Sequence, residues 1–253
     1  FGVAIGTAAI PTLSRLASEQ NTVKFRNTLT DAIKLVFLLA IPSACGLVVL
    51  GKPIISLIYQ RGEFDAFDTN MTAWALGAYS IGLAGYAAIK VLSPAFYAID
   101  DAKTPMYVSV ASIAVHFVSS FGLMQLLSTV GVSPERPNGY GHVGVALATS
   151  IVALGNFLAL SLLMRRRIKR LNGRDIFTSF VKIIFASAAM SAAAYASYYY
   201  LTNYFGDKGL LIRLVEVFVP IALGVIAFVI MAKLLRVTEL EQIVGTLRRK
   251  LGR

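Results

Sequence analysis

Long charge-free runs alternate with short polar segments along the 253-residue chain. A helix needs about 20 mainly apolar residues to cross the hydrocarbon core, because lipid offers no partner for free backbone N–H and C=O groups. The pattern therefore predicts an all-α, polytopic transmembrane helix bundle with six complete spans and the end of a seventh. The runs cover residues 35–51, 69–89, 104–134, 137–164, 183–206 and 217–232, and a further run, 1–14, opens the chain.

The turn signals between these runs set the predicted boundaries. The first helix is expected to end near Pro11, and a partly amphipathic cytosolic stretch at 13–34 leads into the second span. The chain opens in the middle of an apolar run and is expected to be the C-terminal part of a longer protein. The complete spans are predicted at about 31–51, 69–97, 105–128, 143–165, 177–203 and 209–234, with outer loops at 52–68 and 129–142.

Capping residues mark the ends of several predicted helices. Asp68 is placed to N-cap the span over 69–97, and Thr104 is placed to cap the next span. Thr238 and Glu241 form a predicted capping box for an interfacial helix at 238–251 with one apolar stripe.

The distribution of charge orients the predicted bundle. Hydrophobic residues make up 57% of the chain, which carries a net charge of +11. If the loops after spans one, three, five and seven face the cytosol, 18 of the 24 Lys and Arg lie on that side. This is the positive-inside bias, so the basic run at 165–174 is interpreted as an orienting anchor and not as a nucleic-acid patch. The C-terminus is predicted to be cytosolic.

Polar side chains form stripes within three predicted spans. On the span over 69–97 they fall within about 60° of one another at helical spacing, and Lys90 among them is a charge placed where insertion costs about 2.5–3.5 kcal/mol. Polar groups in lipid should face protein or a water-filled cavity, so a substrate-binding cavity is predicted there. Its candidate residues are Lys90, Tyr86, Ser93, Tyr79, Tyr97 and, from the next span, His116. For His116 a hydrogen-bonded structural role competes with a proton relay, and for Lys90 snorkelling to the interface competes with the cavity role.

Residues that could support catalysis or a metal site are few. Cys45 is the only cysteine, and no metal-ligand spacing, phosphate loop or nucleophile triad stands out, so no cofactor and no metal are expected. Glu63, Asp65 and Asp68 form an acidic outer loop, which is interpreted as turn chemistry and a helix cap in preference to a carboxylate pair. Asp100 and Asp101 are interpreted in the same way.

Four blocks in the chain resemble the MurJ/MviN family of lipid II flippases, within the multidrug/oligosaccharidyl-lipid/polysaccharide exporter superfamily. The most specific block runs from Lys90 to Tyr97 and continues into Asp101–Pro105. The other three are Gly2–Ser14, Leu39–Ala44 and Leu57–Phe64.

The resemblance implies a two-lobe fold around a cationic cavity, with two further helices bordering a groove suited to a lipid tail. This chain would then supply the C-terminal lobe at 1–165, the two added helices at 166–234 and a cytosolic interfacial helix and tail at 235–253. The implied function is flipping lipid-linked peptidoglycan precursor from the inner to the outer leaflet by alternating access, with no bond made or broken. The implied partners are the bilayer, the undecaprenyl-linked precursor and the upstream half of the same polypeptide.

Two alternatives remain open from the sequence. One is an exporter of the same superfamily that moves another polyprenyl-linked glycan or a drug. The other is a membrane glycan polymerase or glycosyltransferase, which would need carboxylates in an extracytoplasmic loop, where only Glu63, Asp65 and Asp68 qualify.

Overall fold

The computed structural model describes residues 1–134, 139–205 and 209–241. Within these ranges the chain forms eight long helices, and a further helical turn begins at Thr238. The all-α prediction is confirmed. The predicted interfacial helix lies outside the described residues from position 242 onward, as do residues 135–138 of the predicted outer loop at 129–142. The helices are α1 (Gly2–Ser18), α2 (Thr22–Tyr59), α3 (Ala66–Ile81), α4 (Leu83–Ala98), α5 (Lys103–Ser128), α6 (Gly141–Arg167), α7 (Gly173–Phe205) and α8 (Gly209–Leu234).

Among the described residues, five helices are long and apolar enough to span a membrane by themselves, namely α2, α5, α6, α7 and α8. The pair α3 and α4 passes the same test when taken together, which gives the six complete spans that the sequence predicts. The span predicted over 69–97 is made of two helices, which are separated at Gly82. The freed Gly82 N–H is satisfied by the Ser150 hydroxyl of α6 at 3.0 Å, in a buried contact.

Two predicted boundaries at the start of the chain are wrong. Pro11 lies inside α1, which continues to Ser18, and α2 runs unbroken to Tyr59 although the outer loop was predicted from residue 52. α2 contains both Pro42 and Pro53. Proline removes one backbone hydrogen bond without ending a helix when its neighbours re-satisfy the freed groups, which is common in membrane helices.

The chain forms two compact units. The first comprises residues 1–40 and 81–181, and the second comprises residues 41–80 and the described part of 182–253. The chain therefore passes from one unit to the other within α2, just before Gly82 and within α7. The predicted boundary at residue 165, between the C-terminal lobe and the two added helices, stays a prediction.

Close helix approach at glycines holds the first unit together. Gly2 and Gly6 of α1 lie against the backbone of α4, where an added Cβ would meet the carbonyl oxygens of Ala87 and Lys90. Gly85 brings α4 close to α6, and α5 packs along α6 where Gly144 meets the backbone at Leu123. Small residues at such contacts let membrane helices gain packing and dispersion energy, since lipid supplies no hydrophobic drive for their association.

Candidate functional site

α4 has one buried and one polar face, and the polar face carries four of the predicted site residues. Val91, Leu92, Ala95 and Phe96 are fully buried within the first unit. The other face presents Tyr86, Lys90, Ser93 and Tyr97, spaced four, three and four residues apart as one helical stripe requires. Tyr86 and Tyr97 are more than half exposed, whereas Lys90 and Ser93 are partly buried.

Lys90 lies over the ring of Tyr86. Its Nζ atom is 4.9 Å from the ring centroid, within the range of a cation–π contact. The negative face of the ring holds the ammonium on the polar face of α4 without neutralising its charge. Nine residues separate Lys90 from Ile99, which is about 13 Å of helix. A positive charge held this way can attract an anionic group that enters from the polar side of α4.

Tyr79 is separated from the rest of this stripe by the helix break. It lies on α3, in the second unit, and is about half exposed. The helical spacing that grouped it with Lys90 assumed an unbroken helix, and that assumption fails at Gly82. A shared face for Tyr79 and Lys90 stays a prediction.

His116 is tied into the packing between α5 and α6. Its Nε2 atom lies 3.0 Å from the Thr149 hydroxyl and 3.5 Å from the Ser120 hydroxyl. The Thr149 hydroxyl also donates to the Val145 carbonyl at 3.1 Å, which uses its single proton. The arrangement thus favours an imidazole with its proton on Nε2, donating to Thr149. A role for His116 in substrate binding stays a prediction.

The acidic outer loop forms a helix cap. Asp65 Oδ1 accepts hydrogen bonds from the N–H groups of Phe67 and Asp68 at 2.7 and 3.0 Å, and the Asp65 N–H donates to Asp68 Oδ2 at 3.3 Å. This is a reciprocal capping arrangement at the start of α3. The residue that N-caps this helix is therefore Asp65, and the prediction of Asp68 is wrong, because the helix begins at Ala66 and Asp68 takes the third helical position.

Asp101 lies at one end of the first unit, in the turn between α4 and α5. Its carboxylate accepts from the Thr104 N–H at 3.1 Å and from the Thr104 hydroxyl at 2.8 Å, so the capping oxygen belongs to Asp101 and not to Thr104 as predicted. Arg167, at the end of α6, reaches the same carboxylate with Nε at 2.9 Å. Partial burial alone would raise the pKa of Asp101, but the Thr104 hydrogen bonds and the Arg167 charge outweigh it and lower that pKa.

Further contacts gather at this same end of the first unit. The Asn172 amide donates to the Asn27 side-chain oxygen at 3.1 Å, which joins the segment after α6 to the start of α2. A cavity of about 620 Å³ adjoins Arg167. Its walls come from the end of α1, the start of α2 and the turn after α4, and include Leu16, Phe25, Ile99 and Asp100.

The second unit contains an apolar groove of about 350 Å³ between α2, α7 and α8. Helix approach is close here, since an added Cβ on Gly46 would meet the Met190 side chain, and one on Gly224 would meet Ala194 and Met190. A proline and a glycine four residues apart line the groove on α2, at 42 and 46, and again on α8, at 220 and 224. The lining residues are Pro42, Ser43, Gly46, Leu47, Leu50, Ile54, Met190, Ala194, Pro220, Ile221, Gly224 and Val225.

A bundle of long apolar helices of this kind defines the class of polytopic membrane proteins. The family model described as lipid II flippase MurJ matches residues 1–219. The chain belongs to that family.

Individual relatives agree with this assignment. A probable lipid II flippase MurJ of Vibrio cholerae is 36% identical over 165 residues, which cover 65% of this chain and 28% of that protein. The probable flippase of Thermotoga maritima is 32% identical, over 96% of this chain and 44% of the relative. A solved structure of lipid II flippase MurJ in an inward closed conformation superposes with a TM-score of 0.66 at 26% identity, covering all of this chain and 44% of the other. The chain thus spans less than half the length of these relatives.

Proposed function

We propose that the intact protein flips lipid-linked peptidoglycan precursor from the inner to the outer leaflet of the cytoplasmic membrane by alternating access. The observation that carries the proposal is Lys90, a cation held on the polar face of a membrane helix beside Tyr86. The precursor has an anionic pyrophosphate and sugars that cannot cross hydrocarbon unaided, and a cationic polar surface within the membrane lowers that barrier. Relatives named as lipid II flippases support the choice of cargo.

The apolar groove of the second unit suits the lipid tail of the same cargo. Its lining is almost wholly apolar, so a polyprenyl chain lying in it remains in a lipid-like environment while the head group moves. The proposed activity is transport, with no bond made or broken. The capping role of Asp65 and Asp68 supports this over a polymerase, because their carboxylates are committed to the α3 N-terminus.

Reconstitution tests this function directly. We expect vesicles that contain the intact protein to move labelled lipid II between leaflets, as measured by the fraction of label exposed to an impermeant modifying reagent. Protein-free vesicles provide the baseline. Equal movement of a lipid-linked glycan unrelated to peptidoglycan would favour the broader exporter, and no movement of lipid II above the baseline would remove the proposal.

We also propose that the segment at 166–176 and the C-terminus face the cytosol. The excess of Lys and Arg in these segments supports it, and so does the Asp101–Arg167 ion pair, because it joins two segments that the charge distribution assigns to the same side.

Cysteine labelling checks this orientation. In a cysteine-free background (Cys45 replaced), a cysteine at Asn172 should be modified by an impermeant thiol reagent only after the cells are opened. A cysteine at Gly62, in the predicted outer loop, is the matched control and should react in intact cells. Labelling of the Asn172 position from outside would reverse the proposed topology.

A further inference from the structure

A polar pocket lies in the second unit, one helical turn beyond the apolar groove. It encloses about 260 Å³ and is walled by α2, α7 and α8, with the start of α3 closing one side. Lys52 and Arg213 contribute two cations, and Glu216 contributes one carboxylate. The remaining polar lining comes from Ser56, Gln60, Thr69, Tyr198 and Thr202.

The pocket continues the groove along each of the three shared helices. On α7 Ala194 lines the groove and Tyr198 lines the pocket, four residues or about 6 Å further along. On α8 the same step separates Ile221 from Val217. On α2 the two linings meet between Lys52 and Ile54. A chain that fills the groove therefore ends within reach of the pocket.

The charge of the pocket favours an anion. Its two cations and one carboxylate leave one net positive charge among the lining residues. Arg213 and Glu216 lie one turn apart on α8, and a guanidinium has five N–H donors, so Arg213 can hold a carboxylate and a phosphate oxygen together. The pocket also lies at the end of α2 that the topology proposed above places outside.

The dimensions of the groove favour a single chain. Its α2 wall runs from Pro42 to Ile54, which is about 18 Å, so the volume of the groove corresponds to a cross-section of about 20 Å². That section matches one hydrocarbon chain lying along the groove.

From the charge, the continuity and the cross-section, we propose that this pocket binds the phosphate of a single-chain lipid monophosphate whose hydrocarbon chain lies in the adjoining groove. The site is distinct from the polar face of α4, because it belongs to the second unit and to other helices. It rests on the proposed function only in taking the groove to be lipid-filled.

Equilibrium binding to the intact purified protein tests the site, with farnesyl phosphate and farnesol as matched probes. We expect Arg213→Gln to weaken farnesyl phosphate binding about tenfold and Lys52→Gln to weaken it about threefold, because charge-assisted contacts to phosphate are lost. Farnesol binding should be unchanged in both variants. Val225→Trp, which narrows the groove at an exposed residue, should weaken both probes. Arg61→Gln is the control, since its guanidinium contacts the Ile58 carbonyl outside the pocket lining.

Several outcomes would overturn the site. These are equal wild-type affinity for farnesyl phosphate and farnesol, an equal loss in Arg61→Gln, competition by inorganic phosphate alone at the same concentration, or tighter binding of two-chain phosphatidic acid. The proposed function fails separately: a protein that binds farnesyl phosphate as expected but does not move lipid II keeps this site and loses the flippase proposal. A protein that moves lipid II but shows no preference for farnesyl phosphate over farnesol keeps the flippase proposal and loses this site.

Discussion

Replacing Lys90 by methionine is expected to lower transport of lipid-linked precursor by about tenfold or more while the protein still reaches the membrane. Methionine keeps much of the apolar stem and removes the charge, so the variant isolates the ammonium. A hydrogen bond to a charged group contributes about 1.5–3 kcal/mol, and about 1.4 kcal/mol corresponds to a factor of ten. The measurement is the initial rate of leaflet exchange in reconstituted vesicles, together with complementation of flippase-depleted cells at native expression.

The identity of the replacement separates the cavity role from a structural one. Lys90→Arg should retain more activity than Lys90→Ala or Lys90→Glu, because the positive charge survives although its shape changes. Lys103→Met, which removes an exposed cation at the start of α5, is the matched control and should transport normally. Full complementation by Lys90→Met would mean that the ammonium only snorkels or packs, and the polar face of α4 would lose its proposed contact with cargo.

Adding a single methyl group at Gly82 is expected to destabilise the intact protein by about 1–3 kcal/mol, the usual cost of overpacking. A Cβ there would lie 2.5 Å from the Ser150 Cα and 2.8 Å from its Oγ, so backbone must move. The movement would also lengthen the Gly82 N–H hydrogen bond to Ser150. The readout is the thermal unfolding midpoint of Gly82→Ala in detergent.

Two companion variants assign the cause. Gly155→Ala, at an exposed site of α6 with nothing described within 4 Å of the added methyl, should be neutral or slightly stabilising, because alanine favours helix. Ser150→Ala removes only the hydroxyl, and hydrogen bonds between membrane helices average about 0.6 kcal/mol, so its effect should be smaller than that of Gly82→Ala. Indistinguishable midpoints for Gly82→Ala and Gly155→Ala would show that α4 and α6 tolerate separation here.

The number of spans and the fold class were predictable from the sequence because they depend on run length and charge alone. The break at Gly82 was not predictable, since glycine is common inside membrane helices and only the facing Ser150, 68 residues away, shows that the helix stops there. The error at Pro11 was the opposite one: a helix end was predicted where α1 continues. Proline ends helices in water more reliably than in lipid.

The candidate site was predictable in part for similar reasons. One unbroken helix carries Tyr86, Lys90, Ser93 and Tyr97, so the helical period alone was enough to place them on one face. The Asp101–Arg167 contact and the groove join residues far apart in sequence, and no local pattern encodes such pairs. One local signal was available: an aspartate three residues before Thr104 is a capping spacing, and it identifies Asp101 as the acceptor.

Contacts at the Asp101 end of the first unit constrain how many times the chain crosses the bilayer. Phe25 and Ile99 line one cavity, so α2 and the α3–α4 pair together return the chain to the side from which it started. If α2 crosses once, as its length and hydropathy allow, the interrupted pair must also cross an odd number of times. One crossing with a break in it satisfies this parity, and neither a re-entrant loop nor two separate passes does.

The same count continues along the chain. Asp101 and Arg167 meet, and α5 and α6 are each long and apolar enough to span a membrane, so two further crossings would return the chain to the Asp101 side and the loops between residues 25 and 167 would alternate in side. A single measurement of which side holds any one of these loops would then orient all of them.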